Sequence, residues 1–433
     1  MDPPATYAGR VLPFVVLLVL WGSRRMRTRA LLPTRSAAHR STAAALALLA
    51  LAAGLAACSG GPADGPDGSG VPSAQEASDA PEPKPVRLNT SFTDPTAVPI
   101  DAPVSVTAEG GTLGDVEMTS EAGDVAGKVT GSEWTASTLL EPGTDYTITA
   151  SATRSDGRTV ERTRSFHTVD LTLAQQTFPS IAPLDGETVG VGMPVVVTFD
   201  VPVADRALFE QNMHVTSTPE QKGSWYWLND REAHFRPARY WQAGTDVTVD
   251  IDINSLPAGN GIYGQESRTI NFRVGDSVVS KVDVGTHTMR TFVNGTLART
   301  MAISAGKAGW DTRSGAKVII EKFRRKTMDA ATIGVDESDP EYYNLSNVEY
   351  AMRVTYSGEF LHAAPWSVGS QGSANVSHGC VGMSLADAQW LYDRTSRGDV
   401  VEVTGSARQM TLENGYGDWN LSPKAWKKGS ALS

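Results

Sequence analysis

Apolar and polar residues alternate with a period of two through much of residues 88–275, in short runs bounded by Gly, Pro and Asp. Side chains leave opposite faces of an extended strand at that period, so the runs predict half-buried β-strands. The alternation comes in two copies. "LLEPGTDYTITASAT" (Leu139 to Thr153) lines up with "YWQAGTDVTVDIDIN" (Tyr240 to Asn254): a glycine turn, then Thr-Asp, then alternating Thr, Val, Ile or Tyr. Each copy closes on a similar strand, "RSFHTVD" around Phe166 and "INFRVGD" around Phe272. Such a density of short strands predicts sandwiches. We read two immunoglobulin-like modules, residues 88–170 and 171–275, without the disulfide of antibody domains. A rigid spacer is the simpler role for them, and grip on a substrate or partner is the alternative.

From Asp276 the pattern changes. "SVVSKVDVGTHTMRTFVNGTLARTMAISAG" is again strands, with Val293-Asn294-Gly295-Thr296 a hairpin turn. Strand-like runs follow at residues 317–322 and 350–356. One stretch, Ser384 to Asp399, has helical spacing: Ser384 as N-cap, Asp387 three residues on, an apolar face of Leu385, Ala388, Leu391 and Tyr392, and Gly398 as stop. The predicted fold is therefore mainly β: two sandwich modules, then a mostly-β domain over 276–406 with one short helix. A tail, 407–433, holds Trp419 and Trp426, which are expected to pack the C-terminus against the last domain or its neighbour; stacking on sugar is the other reading.

The N-terminal residues read as a leader rather than as fold. From Met26, Arg27, Arg29, Arg35 and Arg40 precede an apolar stretch from Ala43 to Ala57 and then Cys58, the order of a secretory signal. Leu55-Ala56-Ala57-Cys58 resembles a bacterial lipobox, which makes Cys58 a lipidated mature N-terminus. A second apolar run, Val11 to Gly22, is too short to span a bilayer comfortably; Met26 as the true start explains it, and a tandem anchor is the rival. Residues 59–87, rich in Gly, Pro, Ser and acids, cannot bury enough apolar surface to fold and read as a tether. A length of 433 residues suits several domains, and a net charge of −10 argues against nucleic acid as a partner.

The chain has two cysteines. With Cys58 lipidated, Cys380 is a lone thiol without a disulfide partner, and so either an inert buried hydrophobe or a nucleophile. It lies a few residues before the predicted helix N-terminus, where the dipole favours a thiolate. His378 is two residues away, and His362 ends a strand eighteen residues upstream. A thiolate nucleophile needs a base in hydrogen-bond reach, and the residues alone leave either histidine open for that role. Three potential ligands also raise a zinc site, although their spacing matches no usual motif.

His362, fourteen intervening residues, then Ser377-His378-Gly379-Cys380 resembles the signature of L,D-transpeptidases with a YkuD-type catalytic domain. "HAAPWS", "GDWN" and the two preceding modules resemble the actinobacterial class of these enzymes. The resemblance implies Cys380 as nucleophile and His362 as base, its second ring nitrogen held by the carbonyl of Ala363. It implies that Ser377, His378, Gly379 and the Cys380 amide shape the oxyanion site. A flap between Met328 and Tyr350 would cover the site, with Tyr343, or Tyr342, on the substrate. Met328, Ser357 and Gly358 would line the donor pocket, and Gly382 stands where the family often has asparagine. The implied reaction releases D-alanine from a tetrapeptide donor stem and passes the acyl group to an acceptor stem, giving a 3→3 peptidoglycan cross-link. Acylation by carbapenems, no cofactor or metal, attachment to the membrane through lipid, and work in the cell wall follow from the same resemblance. Transfer to water or to a protein amine, and a non-catalytic wall-binding lipoprotein, are the alternatives.

Overall fold

The computed structural model describes residues 85–433. Two β-sandwiches precede a larger β domain, so the architecture is mainly β as the alternation implies. The first module packs the sheet of Arg87–Thr90, Ser105–Glu109, Glu133–Ala136 and Gly127–Thr130 on one built from Gly123–Asp124, Gly111–Ser120, Asp145–Arg154 and Thr159–His167. Along Asp145–Arg154 every second residue is buried, and Tyr146, Ile148 and Ala150 meet Trp134, Met118 and Phe166 in the core. The second module repeats the plan with two four-stranded sheets, its central Asp246–Ile251 strand burying Val247, Val249 and Ile251.

The third domain is one nine-stranded sheet. Its strands are β1 (Val278–Asp283), β2 (Thr288–Val293), β3 (Thr296–Ser304), β4 (Gly315–Val318), β5 (Glu321–Asp329), β6 (Asn344–Arg353), β7 (Phe360–Ala363), β8 (Val381–Met383) and β9 (Val400–Thr404). The order across the sheet is β4-β9-β1-β2-β3-β8-β7-β6-β5. The β2–β3 hairpin turns on Asn294 and Gly295, both at positive φ (49° and 81°), the pairing that matches strand twist. The helix α1, Leu385–Arg394, starts where expected: Ser384 Oγ accepts from the Asp387 amide. Ala388 and Leu391 bury its inner face, while Leu385 stays exposed.

Module two and the third domain share a core. Val318, Ile320, Val400 and Tyr416 belong to the same buried cluster as Val191, Met193 and Trp241. The approach is backbone to backbone: Gly190 and Gly192 donate to the carbonyls of Arg397 and Gly398, each at 2.8 Å. A Cβ on Gly192 would sit 2.5 Å from Val400 Cγ2, so only glycine fits there. The C-terminal tail fastens the same seam. Trp419 Nε1 donates to Gly192 O at 2.7 Å, and Trp426 Nε1 donates to Ser224 O at 2.9 Å. The buried Arg236 guanidinium lies over both indoles, 4.8 and 4.5 Å from the ring centroids. Both tryptophans thus pack on the neighbouring module.

Beneath them, fully buried His234 of module two bonds Asp418 of the tail at 2.7 Å and Glu232 at 2.8 Å. Burial alone would lower the imidazole pKa, but the two carboxylates outweigh it and hold it at about 9 against an ordinary 6.5. A group whose folded pKa is raised lends stability below its unfolded value and loses it as pH climbs through the folded one. The melting temperature should therefore decline as pH rises from about 6.5 through about 9. In His234→Gln that decline should flatten. A thermal melt series across this window checks it, and an unchanged pH slope in the variant would show that the decline has another source.

Candidate active site

The site is set by two short neighbours. β7 carries His362, β8 begins one residue after Cys380, and the two run parallel with Leu361 opposite Val381, His362 opposite Gly382 and Ala363 opposite Met383. Residues far apart in sequence are thereby placed side by side.

The loop before Cys380 is tied from within and from outside. Ser377 Oγ donates to the Cys380 carbonyl at 2.6 Å and accepts from the Gly379 amide at 3.1 Å. Thr312 Oγ1 donates to the Gly379 carbonyl and accepts from the Gly306 amide, both at 2.8 Å. Gly379 has φ 118°, a conformation that L side chains rarely adopt.

The sulfur sits between backbone groups of the segment entering β7. Sγ donates to Gly358 O at 3.7 Å and receives the Phe360 amide. Burial pushes the thiol up to about 12, the carboxylate of Glu359 adding to the rise. Burial also lowers the His362 imidazole. At neutral pH the pair is thus a thiol and a neutral ring. The thiolate expected before the helix N-terminus is opposed by burial, which dominates the shift at the sulfur. His362 Nδ1 lies 2.8 Å from the Ala363 carbonyl, which can only accept, so Nδ1 carries the proton and Nε2 keeps its lone pair. Trp366, 56% exposed, stacks on the His362 ring at 5.8 Å.

Two cavities meet at the sulfur. One, of about 210 Å³, is lined by His362, Trp366, Ser377, His378 and Cys380 with Met328 and Tyr343. The other, of about 260 Å³, is lined by Lys326, Asp329, Arg353, Tyr356, Gly358 and Cys380, again with Met328 and Tyr343. The Cys380 sulfur is therefore bordered by open space on two sides. A larger cavity, about 540 Å³, lies where the two modules meet around Glu141 and Asn254, and no thiol or imidazole lines it.

Of the residues picked from sequence, Cys380, His362, Ala363, Ser377, His378, Gly379, Gly358, Met328 and Tyr343 converge here, and Tyr343 rather than Tyr342 lines the cavities. Others differ. Ser357 turns away: its amide donates to Asn414 Oδ1 and its hydroxyl accepts from Asn414 Nδ2, each at 2.9 Å, so Tyr356 and Gly358 flank the pocket instead. Gly382 lies inside β8, where a Cβ would meet Ala364 Cβ at 2.8 Å, so it faces neither cavity. The Gly379 amide is engaged by Ser377, which removes it from the oxyanion donors in this state. His378 Nε2 is held at 2.6 Å by Glu341, a flap residue that also pairs with Lys307. Trp310 and Tyr343 enclose the His378 ring at 4.8 and 4.9 Å. Glu341, Trp366, Arg353 and Tyr356 were missed from sequence; for Trp366 the signal was present in "HAAPWS". Among the described residues, no group of three or more His, Cys, Asp or Glu side chains is placed to hold a metal ion.

Comparison with known proteins gives this chain relatives. A family model described as the L,D-transpeptidase catalytic domain matches residues 277–403, and one described as a bacterial Ig domain matches 95–257. L,D-transpeptidase 2 of Mycobacterium tuberculosis (strain CDC 1551 / Oshkosh) is 38% identical over 350 residues, 80% of this chain and 85% of its own. L,D-transpeptidase 5 of the same species (strain ATCC 25618 / H37Rv) is 34% identical over 346 residues, 77% of this chain and 74% of its own. A solved L,D-transpeptidase in complex with imipenem, 37% identical, covers 52% of this chain and 97% of its own at a TM-score of 0.46.

The crowding at Gly382 generates a test. Gly382→Asn must displace the Ala364 segment that follows His362, at an overpacking cost of about 1–3 kcal/mol. We expect a lower melting temperature and an acylation rate reduced by up to about 100-fold, the size of loss that a displacement of about 1 Å at a reacting centre brings. A variant that melts and reacts as the wild type would show that the segment yields without moving the base.

Proposed function

This chain belongs to the L,D-transpeptidase family, and from that premise we propose that Cys380 is its nucleophile and His362 its general base. One observation carries the assignment: both side chains line one cavity, and the His362–Ala363 hydrogen bond leaves Nε2 as the free, basic nitrogen. The Cys380 thiol gives its proton to Nε2 as sulfur attacks the carbonyl of the third residue of a donor stem peptide. As the tetrahedral intermediate collapses, the bond to the terminal D-alanine breaks and the same proton leaves on its amine. A thioester remains. The side-chain amine of a second stem then attacks it, His362 takes the amine's proton, and the thiol is restored as the 3→3 link forms. Splitting one amide exchange into two thioester steps lowers each barrier. The two cavities at the sulfur support a donor on one side and an acceptor on the other. The Cys380 amide is our candidate donor for the developing oxyanion. Ser377 holds the loop, and His378 braces it against the flap.

The N-terminal readings extend this proposal. Cys58 lies outside the described residues. We assign it as the lipid anchor that places the enzyme on the outer face of the cytoplasmic membrane, within reach of the wall. Cys58→Ala should move the protein from the membrane fraction to the soluble one, and unchanged partition would support the tandem-anchor reading.

The nucleophile is tested without the natural substrate. A carbapenem should add one drug mass to the peptide containing Cys380, in the presence of chelator as well as without it. The adduct should be absent in Cys380→Ala. In His362→Gln it should form at least about 100-fold more slowly, the lower range for loss of a general base. Unmodified Cys380 after prolonged incubation of folded protein would sink the assignment. Muropeptide analysis of cells with and without the gene then separates cross-linking from transfer to water.

A further inference from the structure

Three charged side chains, two of them buried and the third, Arg313, half-buried, lie directly behind the Cys380 loop, and the reaction as described uses none of them. Glu359 is 4% exposed and Lys317 1%. One Glu359 oxygen accepts from Arg313 Nη1 at 2.7 Å and from the Arg313 amide at 3.2 Å; the other is bound by Lys317 Nζ. A buried ion cluster is costly, and apolar side chains of similar volume would often stabilise the fold as well or better. Its position points to another use.

We propose that Glu359, clamped by Lys317 and Arg313, is a positioning residue for acyl transfer, fixing the backbone that cradles the Cys380 sulfur and the charge behind it. The proposal rests on Cys380 as nucleophile. Residues 358 and 360 supply the carbonyl and the amide on the sulfur, while the Glu359 side chain between them reaches into the clamp. A Cβ built on Gly379 would lie 3.6 Å from Glu359 Cγ, so the cluster underlies the nucleophile loop itself. The same stretch ties both parts: Thr312 holds the Gly379 carbonyl and Arg313 holds Glu359. Lys317 is on β4, whose next residue, Val318, is buried in the core shared with module two. One strand thus anchors the clamp to the seam between domains.

The clamp carries one net positive charge, with its carboxylate and its cations opposed at the sulfur: Glu359 raises the thiol and Lys317 lowers it. The other titratable or charged groups around the sulfur and on the walls of its two cavities are Arg353 on β6, His362 on β7, His378 in the Cys380 loop, Tyr343 from the flap, Tyr356 in the turn before β7, Lys326 and Asp329. These stay constant across the variants below.

The test reads the thiolate fraction as the rate of iodoacetamide alkylation of the Cys380 peptide, in the whole chain, at pH values well below the thiol pKa. A nearby charge shifts a pKa by about one unit or more, which is about tenfold in that rate. Glu359→Gln should speed alkylation about tenfold and Lys317→Met should slow it about tenfold. The double variant keeps the wild-type net charge and should return to within about threefold of the wild-type rate. Carbapenem acylation should nonetheless fall in Glu359→Gln, because the cradle has lost its clamp. Mere loosening of the structure would expose the thiol and speed alkylation in both single variants. Changes of the same sign, or none, overturn the proposal. If Lys317→Met does not fold, Arg313→Gln carries the same sign. If Glu359→Gln alone does not fold, adding it to Lys317→Met must speed alkylation about tenfold over Lys317→Met. Alkylation reports the thiol whether or not it attacks substrate, so loss of the nucleophile assignment, seen as a carbapenem adduct that survives Cys380→Ala, is a separate outcome.

Discussion

The parallel pairing of β7 with β8 is the constraint on which the site depends. It fixes His362 against Gly382, and so puts an imidazole beside a cysteine that is eighteen residues away along the chain. A parallel pair needs a connection long enough to bring the chain back to the same end. Here residues 364–380 serve as that connection, and the motif is laid out along it. Because the next strand begins immediately after Cys380, a shift of one residue in register would send the flanking side chains to opposite faces. Gly382 is part of that constraint, since its missing Cβ is the space that Ala364 occupies.

The register is supported from both ends of the sheet. The edge strands β4 and β5 are consecutive in sequence, and the two residues between them bond to strands or loops on both sides: Ile319 to Asp399, and Ile320 to Arg353. β4 is also where module two is joined. Val318 faces the shared core while Lys317 faces the nucleophile loop, as the alternation of a strand requires. The tail adds Trp419, Trp426 and Asp418 to the same seam. The second module is therefore part of the packing around the catalytic domain rather than a bead on a string, whereas the first meets the second through contacts such as Ser255 Oγ to Leu140 O at 2.6 Å.

What could be read from sequence follows a physical line. The strand runs, the Asn294-Gly295 turn and the Ser384 cap were legible because local sequence decides each of them. The histidine–cysteine pair was legible because its members lie on one stretch of chain. The missed residues are tertiary. Glu359, Lys317 and Arg313 look like ordinary surface charges when met singly, and nothing local says that a strand edge and a turn will close over them. Glu341 sits in an acidic flap segment with no sign of its partner His378, which lies thirty-seven residues away. Ser357 was misplaced by one residue because a turn, unlike a strand, has no fixed period to say which side chain points inward. The thiolate expected from the nearby helix failed for a similar reason: distance along the chain measured the dipole but not the burial.

That last difference bears on how the chemistry starts. A preformed thiolate–imidazolium pair would need two charges stabilised in a site that excludes water from both. The structure instead lowers His362 and raises Cys380, so both partners rest neutral and burial costs each of them little. In the mechanism we propose, attack then requires the proton to move as the carbon–sulfur bond forms, and the negative charge passes to the substrate oxygen rather than resting on sulfur. The balance behind the sulfur fits that sequence. Glu359 opposes an early charge on Cys380, while Lys317, Arg313 and Arg353 leave the surroundings positive overall as negative charge develops beyond the sulfur. A resting thiol is also less exposed to oxidation and stray alkylation than a thiolate. A thiol that ionises only when a carbonyl is in place keeps its reactivity for the substrate.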